Sequence, residues 1–284
     1  RVEGVASSRR ITYPDGRVTY GRGSRSGGDD FLASAPEGEI DPFLKTISFW
    51  NDDQPIAALH SYATHPMSYY GSGGVTSDFV GLARERRRRD DFKVAQIYVS
   101  GCSGDVTAGK FNDGSPEMRK ELTERMYRGM VTAWNATEKM PLDELAFRNT
   151  EIQLDYHPNP ALFVGLLLKN LHDRKLTVEQ RIHAAMSLSS HHRVAARQPI
   201  DMPCIDFGVA QIVLFPGESF VGYQLMAQQM RPESFVMSIG YGECWPGYIP
   251  TNQAFEDGFE DQWLWTAPGA EAKIRSALRE VLVK

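Results

Sequence analysis

Along most of this chain, short apolar runs alternate with longer segments whose apolar residues recur at helical spacing. That alternation limits the fold more than any other feature, because strands that alternate with helices build a sheet covered by helices. It predicts an α/β fold in which a mixed β-sheet is flanked by helices. The predicted strands are 44–50, 55–63, 94–100, 145–156, 204–216 (as one or two strands) and 234–242, and the predicted helices are 78–90, 115–136, 159–171, 177–197, 218–230 and 270–283.

The first 40 residues differ from the rest because they are rich in Gly, Ser, Arg and Asp. Such a composition is typical of loops, so we predict an irregular N-terminal arm over residues 1–40. No internal repeat and no linker-like stretch interrupts the remainder. We therefore predict a single domain over residues 1–284, which is long enough to bury a large core.

Charge and composition argue against several classes of partner. The chain has 31 basic and 36 acidic residues, a formal charge of -5, which gives no electrostatic reason to expect nucleic acid. The best candidate for a membrane span, 161–168, is too short to cross a bilayer, so no transmembrane segment is predicted. Cys102, Cys204 and Cys244 are widely spaced, which argues against a cysteine zinc site and allows at most one disulfide.

Four predicted strands end in glycine-containing loops, and in open α/β sheets ligands bind beyond the carboxyl ends of strands. His65 follows the strand 55–63, and the loop 100–109, "SGCSGDVTAG", follows the strand 94–100. Glu218 lies in "FPGES" after the strand 204–216, and Tyr248 lies in "WPGYIPT" after the strand 234–242. These loops are where the sequence predicts chemistry.

Each of these residues allows two interpretations on local grounds. His65 is either a metal ligand or a hydrogen-bonded structural histidine. Glu218 is either a zinc ligand held by the sheet or a carboxylate favoured by the start of the predicted helix 218–230. Tyr248 is either a functional phenol or a packing residue. His60 is not expected to be a second ligand, because five residues along a strand place it on the opposite face from His65.

The glycine-dense loop 100–109 carries two hydroxyls, Ser103 and Thr107, and the carboxylate of Asp105. Its backbone N–H groups could form an oxyanion site, or the loop is a plain turn between a strand and a helix. It does not have the spacing of a phosphate-binding loop, and the chain contains no GxSxG nucleophile motif. Nucleotide binding and a simple serine-hydrolase mechanism are therefore disfavoured.

Taken together and in this order, the loops resemble the catalytic domain of the neutral, non-lysosomal ceramidases, a family of zinc amidohydrolases. "ATHPMSYYGSGGVTSDFVG" resembles the family's histidine loop, and "GCSGDVTAGKFND" resembles its GDVSPN loop. "FPGESF" is similar to its PGEFT segment, "GYIPTNQAF" to its GYVTTPEEY segment, and "ASSRR" to its asparagine-arginine segment. The similarity extends over most of the chain and is distant outside the loops.

The resemblance implies an enzyme with a Zn²⁺ cofactor that cleaves a linear amide. It implies that His65, Glu218 and Tyr248 are metal ligands, and that Thr107 stands where the family has a serine that attacks or orients the attacking water. We group Asp105, in the same loop, with Thr107 as catalytic. A histidine, a carboxylate and a phenol around zinc are chemically coherent, because zinc polarises a carbonyl and the phenol can ligate or donate to an oxyanion.

The resemblance also implies that Arg9 reaches the polar end of a small-molecule or lipid-like substrate, with Tyr248 catalytic as well as ligating. It implies a location outside the cytoplasm, periplasmic or secreted. Two parts of the family pattern have no counterpart: the upstream THTHSGP-like histidine motif and the C-terminal immunoglobulin-like domain. A threonine, Thr107, replaces the serine, and Phe259 is nearest to the position of a second family tyrosine.

Two hypotheses about function remain. The first is a zinc-dependent hydrolase of an amide or ester, in which water or a threonine or serine hydroxyl attacks a polarised carbonyl. The alternative is a non-catalytic relic of the same fold whose loops bind a ligand without cleaving it. The replacement at Thr107 and the unmatched upstream histidine motivate this alternative.

Overall fold

The computed structural model describes residues 1–72 and 74–283. Within them the strands are β1 Ser7–Ser8, β2 Ile11–Thr12, β3 Val18–Thr19, β4 Lys45–Asn51, β5 Gln54–Tyr62, β6 Ala95–Ser100, β7 Val106–Thr107, β8 Ala146–Ile152, β9 Ile200–Asp206, β10 Ala210–Leu214, β11 Glu218–Ser219, β12 Phe235–Ile239 and β13 Tyr248–Ile249. The helices are α1 Asp30–Ser34, α2 Asp78–Asp90, α3 Pro116–Asn135, α4 Val164–His172, α5 Val178–Ala195, α6 Val221–Met230, α7 Asn252–Glu256 and α8 Ala270–Leu282.

The predicted α/β class with a mixed sheet flanked by helices is confirmed, although the described strands form two mixed sheets, of three and four strands, together with three two-stranded sheets, rather than one sheet. In the first sheet, β4 and β5 form the predicted antiparallel hairpin and β6 pairs parallel to β5. Helices α2 and α3 pack against this sheet and against each other. Helix α2 occupies the predicted range, and it connects the two parallel strands β5 and β6.

The second sheet has the strand order β12-β10-β9-β8, with β10 and β12 parallel and the other pairs antiparallel. Helices α6 and α8 pack against it. The two sheets are joined by hydrogen bonds near the end of β12: the Gly240 N–H donates to the Ser100 carbonyl at 2.9 Å, and the Ser61 hydroxyl donates to the Ser238 carbonyl at 2.8 Å. The two sheets are separate because β12 and β6 do not pair through a continuous ladder of hydrogen bonds.

Helix α8 illustrates how the apolar pattern fixes packing. Ile274, Ala277, Leu278 and Val281 recur at helical spacing, and all four are buried against the second sheet. A separate core cluster beneath the first sheet contains Phe79, Leu122, Met126 and Met130. A third and much smaller cluster, Leu167, Ala184 and Leu188, lies between α4 and α5. Burying each large apolar side chain stabilises the fold by about 1.5–3 kcal/mol.

Several element ends differ from the predicted ones because of pairing that local sequence does not reveal. Helix α6 begins at Val221 rather than at 218, because Glu218–Ser219 is a short strand that pairs parallel to Tyr248–Ile249. The predicted strand 204–216 is two strands, β9 and β10, and β12 ends at Ile239. The helix predicted over 115–136 is α3, and it begins after a serine cap, since the Ser115 hydroxyl accepts from the Met118 N–H.

The N-terminal 40 residues contain only the short elements β1, β2, β3 and α1 together with one 3-10 turn. The fully buried guanidinium of Arg22 donates to the carbonyls of Ser8, Leu32, Ala35 and Pro36, and so closes this segment around itself. The assignment of residues 1–284 to one domain stays a prediction. No helix in residues 1–72 and 74–283 has the length and apolar character needed to cross a membrane.

Candidate functional site

The His65 imidazole is fixed by the backbone on one side and faces a carboxylate on the other. The backbone N–H of His65 donates to the Val106 carbonyl at 2.9 Å, and the ring nitrogen Nδ1 lies 3.0 Å from the same carbonyl oxygen. Because that oxygen can only accept, Nδ1 carries a proton. Nε2 then faces Oε2 of Glu218 at 2.8 Å. Both side chains are buried.

Glu218 is held by a short strand rather than by a helix. Its N–H donates to the Gly247 carbonyl at 3.0 Å, and β11 pairs with β13 so that Glu218 stands opposite Tyr248. The first turn of α6 contains no acidic residue, so the helix-start interpretation of Glu218 is wrong. Gly104 packs against this strand so closely that a Cβ there would lie 2.2 Å from the Glu218 carbonyl oxygen.

The carboxylate that caps the start of α6 belongs to Asp105 and not to Glu218. Its Oδ1 accepts from the Val221 N–H at 2.8 Å, which stabilises the first turn of the helix. Burial raises the pKa of Asp105 to about 6, and the Val221 hydrogen bond opposes that rise. This carboxylate therefore joins the loop 100–109 to α6, and it stays a candidate catalytic group only by resemblance.

Tyr248 lies close to the pair formed by His65 and Glu218, with its ring centroid 6.5 Å from that of the imidazole. Burial and the Glu218 carboxylate raise the pKa of the Tyr248 phenol well above its usual range, although the Arg9 guanidinium lowers it. Its hydroxyl is thus a neutral donor at physiological pH. Cζ of Arg9 lies 5.2 Å from the centre of the Tyr248 ring.

Arg9 connects the tyrosine to a neighbouring loop. Nη2 of Arg9 lies 3.5 Å from Oδ2 of Asp261, and Nη1 donates to the Gly104 carbonyl at 3.3 Å. Its side chain is 16% exposed, so it is close enough to solvent to meet a ligand. The sequence placed Arg9 at the polar end of a substrate, and the structure puts it beside Tyr248.

Tyr241 belongs to the same cluster, and sequence reasoning missed it. Its hydroxyl lies 3.3 Å from Nε2 of His65 and 3.2 Å from Oγ of Ser103. Its φ is 58°, a left-handed conformation that costs a non-glycine residue about 1–3 kcal/mol. The residue is 40% exposed, yet desolvation of its hydroxyl and the Glu218 charge raise its pKa. The signal was a tyrosine between two glycines at the end of the predicted strand 234–242.

Thr107 is near the pair through its backbone, while its hydroxyl points elsewhere. Its backbone forms a parallel bridge with His65. Its Oγ1 accepts from the Gly109 N–H at 2.7 Å and donates to the Gly23 carbonyl at 3.4 Å. Ser103, not Thr107, is connected to His65 by hydrogen bonds, through Tyr241. The two hydroxyls of the loop therefore have different surroundings.

His60 is a structural histidine, as predicted. It is fully buried, with Nδ1 2.7 Å from Oγ1 of Thr46 and Nε2 2.9 Å from Oε1 of Gln96. Burial lowers its pKa to about 4, so it is neutral. Both ring nitrogens have side-chain partners within the first sheet, which leaves neither of them for a ligand.

The donor set suits zinc at two positions. The Nδ1–H of a zinc-binding histidine is normally held by a backbone carbonyl or a carboxylate, and His65 has that arrangement. Zinc bonds of about 2.0–2.2 Å at a tetrahedral angle set two ligand atoms about 3.4 Å apart, so the pair would open by roughly 0.6 Å. Among residues 1–72 and 74–283, no group of three or more His, Cys, Asp and Glu could hold a metal ion. A third protein ligand would have to come from another residue type, such as the phenol of Tyr248.

Fold comparison finds that the chain is similar in structure to two ceramidases. No protein-family model matches the chain, and no curated protein matches its sequence. The architecture is that of a ceramidase-like α/β fold. The neutral ceramidase from Pseudomonas aeruginosa superposes with a TM-score of 0.65 at 13% identity, over 99% of this chain and 50% of that one. A structure titled "Ceramidase complexed with C2" gives 0.64 at 13% identity, over 98% and 53%. The chain spans about half the length of both.

Proposed function

We propose that this protein is a zinc-dependent hydrolase that cleaves a linear amide, or a related ester, in a lipid-like substrate. The observation that carries the proposal is the pair formed by Nε2 of His65 and Oε2 of Glu218, 2.8 Å apart, with Nδ1 fixed by a carbonyl. The ceramidase-like fold supports the same reaction class. Both groups lie at ends of strands, where such folds bind ligands.

His65 and Glu218 would hold the metal, with the Tyr248 phenol as third ligand. When bound, zinc supplies Lewis-acid polarisation of a carbonyl and a lowered pKa for water. The chain's own groups do the rest. The neutral hydroxyl of Tyr241 donates to the oxygen on which negative charge develops, and the Tyr248 phenol takes the same role when it does not ligate the metal. Arg9, beside Tyr248, binds the polar end of the substrate.

The attacking oxygen comes from water or from a loop hydroxyl. Thr107 can attack only after its hydroxyl leaves the Gly23 carbonyl and the Gly109 N–H. Ser103 is already linked to His65 through Tyr241. Asp105 acts by fixing the loop that carries both hydroxyls to the start of α6. A buried carboxyl with a pKa near 6 is also suited to proton transfer near neutral pH.

A second function, ligand binding without cleavage, is favoured by one observation. The Thr107 hydroxyl is engaged by two backbone groups, the Gly23 carbonyl and the Gly109 N–H. If Thr107 keeps these two contacts when a ligand is bound, its hydroxyl cannot attack. If Ser103 does not attack in its place, the loops bind a substrate-like amide and leave it intact. The two functions share the same residues and differ only in turnover.

Metal content and turnover test the proposal together. Purified protein is loaded with zinc, dialysed and analysed for metal, and then assayed with a fluorescent N-acyl amino alcohol. We expect about one zinc per chain and product release, with both reduced at least tenfold in His65→Ala and Glu218→Gln. His172→Ala is the matched control, because that histidine is exposed on α4 and its ring contacts the Leu168 carbonyl of its own helix. Absence of zinc in the parent protein would refute the proposal.

Thr107→Ala separates the two functions and the two hydroxyls. If Thr107 supplies the attacking oxygen, the variant keeps its zinc and loses turnover by about 10²-fold or more, as expected for loss of a nucleophile. Unchanged turnover assigns the attack to water or to Ser103, which Ser103→Ala then distinguishes. Zinc and tight substrate binding in the parent protein without any product would establish the binding function instead.

Location outside the cytoplasm is proposed from the ceramidase-like fold and is testable separately. Fractionation of cells that produce the natural full-length protein should recover it in the periplasm or the medium. Recovery in the cytoplasm would contradict this part of the proposal and leave the chemistry of the site untouched.

A further inference from the structure

A cleft of about 880 Å³ lies on the molecule where the helical hairpin α4–α5 meets the chain around residues 244–246 and 265–266. This volume is within the range of about 300–1,000 Å³ that small-molecule sites occupy. Its lining is mainly apolar and includes Leu168, Leu171, Met186, Leu188, Trp245 and Trp265. None of the residues that line it belongs to the cluster around His65 and Glu218. The cleft is therefore a separate site.

The charged groups in the cleft are unequally engaged. Asp155 is paired with Lys273, whose Nζ lies 2.6 Å from Oδ2 of the aspartate. Arg193 donates from Nη2 to the Pro199 carbonyl, and its buried Nε has no partner among the residues that the structure describes. Its contact with Glu243 is 3.5 Å long, at the limit of hydrogen bonding. Arg193 is thus a cation with unused donor capacity at an apolar cleft.

Glu243 does not neutralise Arg193 fully, because its carboxylate has another partner. Oε2 of Glu243 accepts from the Asp201 N–H at 2.6 Å, and the side chain is 45% exposed. An exposed and distant ion pair contributes little, typically below about 1 kcal/mol. An incoming carboxylate could accept two parallel hydrogen bonds from the guanidinium, which is the stronger arrangement.

The charge of the hairpin favours anions as well. Residues 164–195 contain five basic and two acidic residues, a net charge of +3 in a chain whose total is -5. The basic residues are Lys169, Arg174, Lys175, Arg181 and Arg193. Potential of this sign attracts negatively charged ligands and repels cationic ones. Leu168, on the wall of the cleft, is 44% exposed, so an alkyl chain can bury apolar surface there.

We propose that this cleft binds an aliphatic carboxylate, a fatty acid, with its alkyl chain between the hairpin and the two tryptophans and its carboxylate on Arg193. Apolar walls, a cation at the wall and a positive hairpin together match an anionic amphiphile. The site is independent of zinc and of hydrolysis. Whether the cleft binds a fatty acid does not depend on the function proposed for His65 and Glu218.

Titration with sodium dodecanoate below its micellar concentration tests the proposal. Binding is followed by calorimetry and by the emission of Trp245 and Trp265, which line the cleft. In the series octanoate, decanoate, dodecanoate, we expect affinity to rise about fourfold for each methylene that is buried. Dodecyltrimethylammonium, which has the same chain and the opposite charge, should bind at least tenfold more weakly than dodecanoate. Equal binding of the two, or no saturable binding, would overturn the proposal.

Variants locate the two ends of the ligand. Arg193→Gln should weaken dodecanoate about tenfold, as expected for loss of a hydrogen bond to a charged group, and should leave the ammonium probe unchanged. Arg174→Gln removes a charge of the hairpin that does not line the cleft, and is the matched control. Leu168→Asn, at a half-exposed position that tolerates change, should weaken all chains; it keeps the test valid if Arg193→Gln does not fold.

A final comparison separates this site from the other. His65→Ala should bind dodecanoate as the parent protein does, whether or not the parent hydrolyses amides. If His65→Ala abolishes dodecanoate binding, the fatty acid occupies the His65 site and the cleft proposal is wrong. If dodecanoate only dissociates dimers, measured by light scattering at rising protein concentration, the cleft is an interface between copies of the chain and the proposal is again wrong.

Discussion

The candidate site and the hairpin α4–α5 depend on contacts of different range. His65 meets a carboxylate 153 positions away, and Arg9 meets Asp261 across 252 positions. The hairpin packs mainly against itself, around the small cluster of Leu167, Ala184 and Leu188. The site is consequently tied to the stability of the whole fold, whereas the hairpin has a core of its own that can open separately.

The same contrast appears in the polar groups. In the site, the polar side-chain atoms of His65, Glu218 and Thr107 have hydrogen-bond partners within the fold. In the cleft beside the hairpin, the cation Arg193 keeps unused donors. Polar atoms that are fully satisfied favour one rigid arrangement, while unsatisfied ones favour a partner from outside. The predictions below test this distinction, beginning with the largest effect.

Arg22→Met should have the largest effect on the site region. It keeps the approximate length of this fully buried side chain and removes the donors to the backbone carbonyls of Ser8, Leu32, Ala35 and Pro36. We expect a loss of about 3–5 kcal/mol in the free energy of unfolding, measured in urea. Arg17→Met, an exposed arginine of the same segment, should change it by less than about 0.5 kcal/mol. A small effect of Arg22→Met would mean that residues 1–40 are not coupled to the fold.

Asp105→Asn should change the pH dependence of stability. The folded pKa of about 6 lies above the unfolded value of about 3.9, so the folded state binds the proton more tightly. Stability from this group is complete below pH 4 and is lost as the pH rises through 6. The asparagine keeps the bond to Val221 and cannot ionise. We expect the variant to be more stable than the parent by about 2–3 kcal/mol at pH 8 and equal to it at pH 3; equal stability at both would refute this.

Leu167→Ala should act locally within the hairpin. Leu167 is 2% exposed and belongs to the smallest of the three clusters, so we expect a loss of about 2 kcal/mol, at the lower end for a buried leucine. Amide hydrogen exchange should accelerate in α4 and α5 and stay unchanged in β5 and β6. Acceleration throughout the chain would show that the hairpin unfolds only with the whole molecule.

Ile182→Gln should have the smallest effect. Ile182 is 50% exposed on α5 and does not line the cleft. The free energy of unfolding should therefore change by less than about 0.5 kcal/mol. Dodecanoate affinity, measured in parallel, should be unaffected. A larger loss in the free energy of unfolding would indicate that the exposed face of the hairpin is packed against another surface in solution.

Where the sequence carried a local signal, the fold could be predicted. Asn51–Gln54 forms the turn of a hairpin, Ser115 caps α3, and the spacing of Ile274, Leu278 and Val281 gives the buried face of α8. What could not be predicted depends on partners far away. The division into two sheets results from where β12 ends, and α6 starts late because Glu218 pairs with Tyr248.

The candidate site divides in the same way. The strand-exit argument and the resemblance selected His65, Glu218 and Tyr248, and the structure brings their side chains together, although their roles stay predictions. Tyr241 escaped notice because its left-handed backbone and its bond to His65 exist only after the two sheets meet. The direction of the Thr107 hydroxyl likewise depends on Gly23, a residue 84 positions away.

The distance along the chain between His65 and Glu218 also has a consequence during synthesis. Ribosomes add about 5–20 residues per second, so the imidazole waits roughly 8–30 s for its carboxylate to be made. The parallel strands β5 and β6 can pair long before that moment. In the nascent chain, the His65 imidazole therefore lies beside a growing apolar core before its partner Glu218 has been made. We expect a chaperone that shields His65 during this interval to raise the yield of native protein.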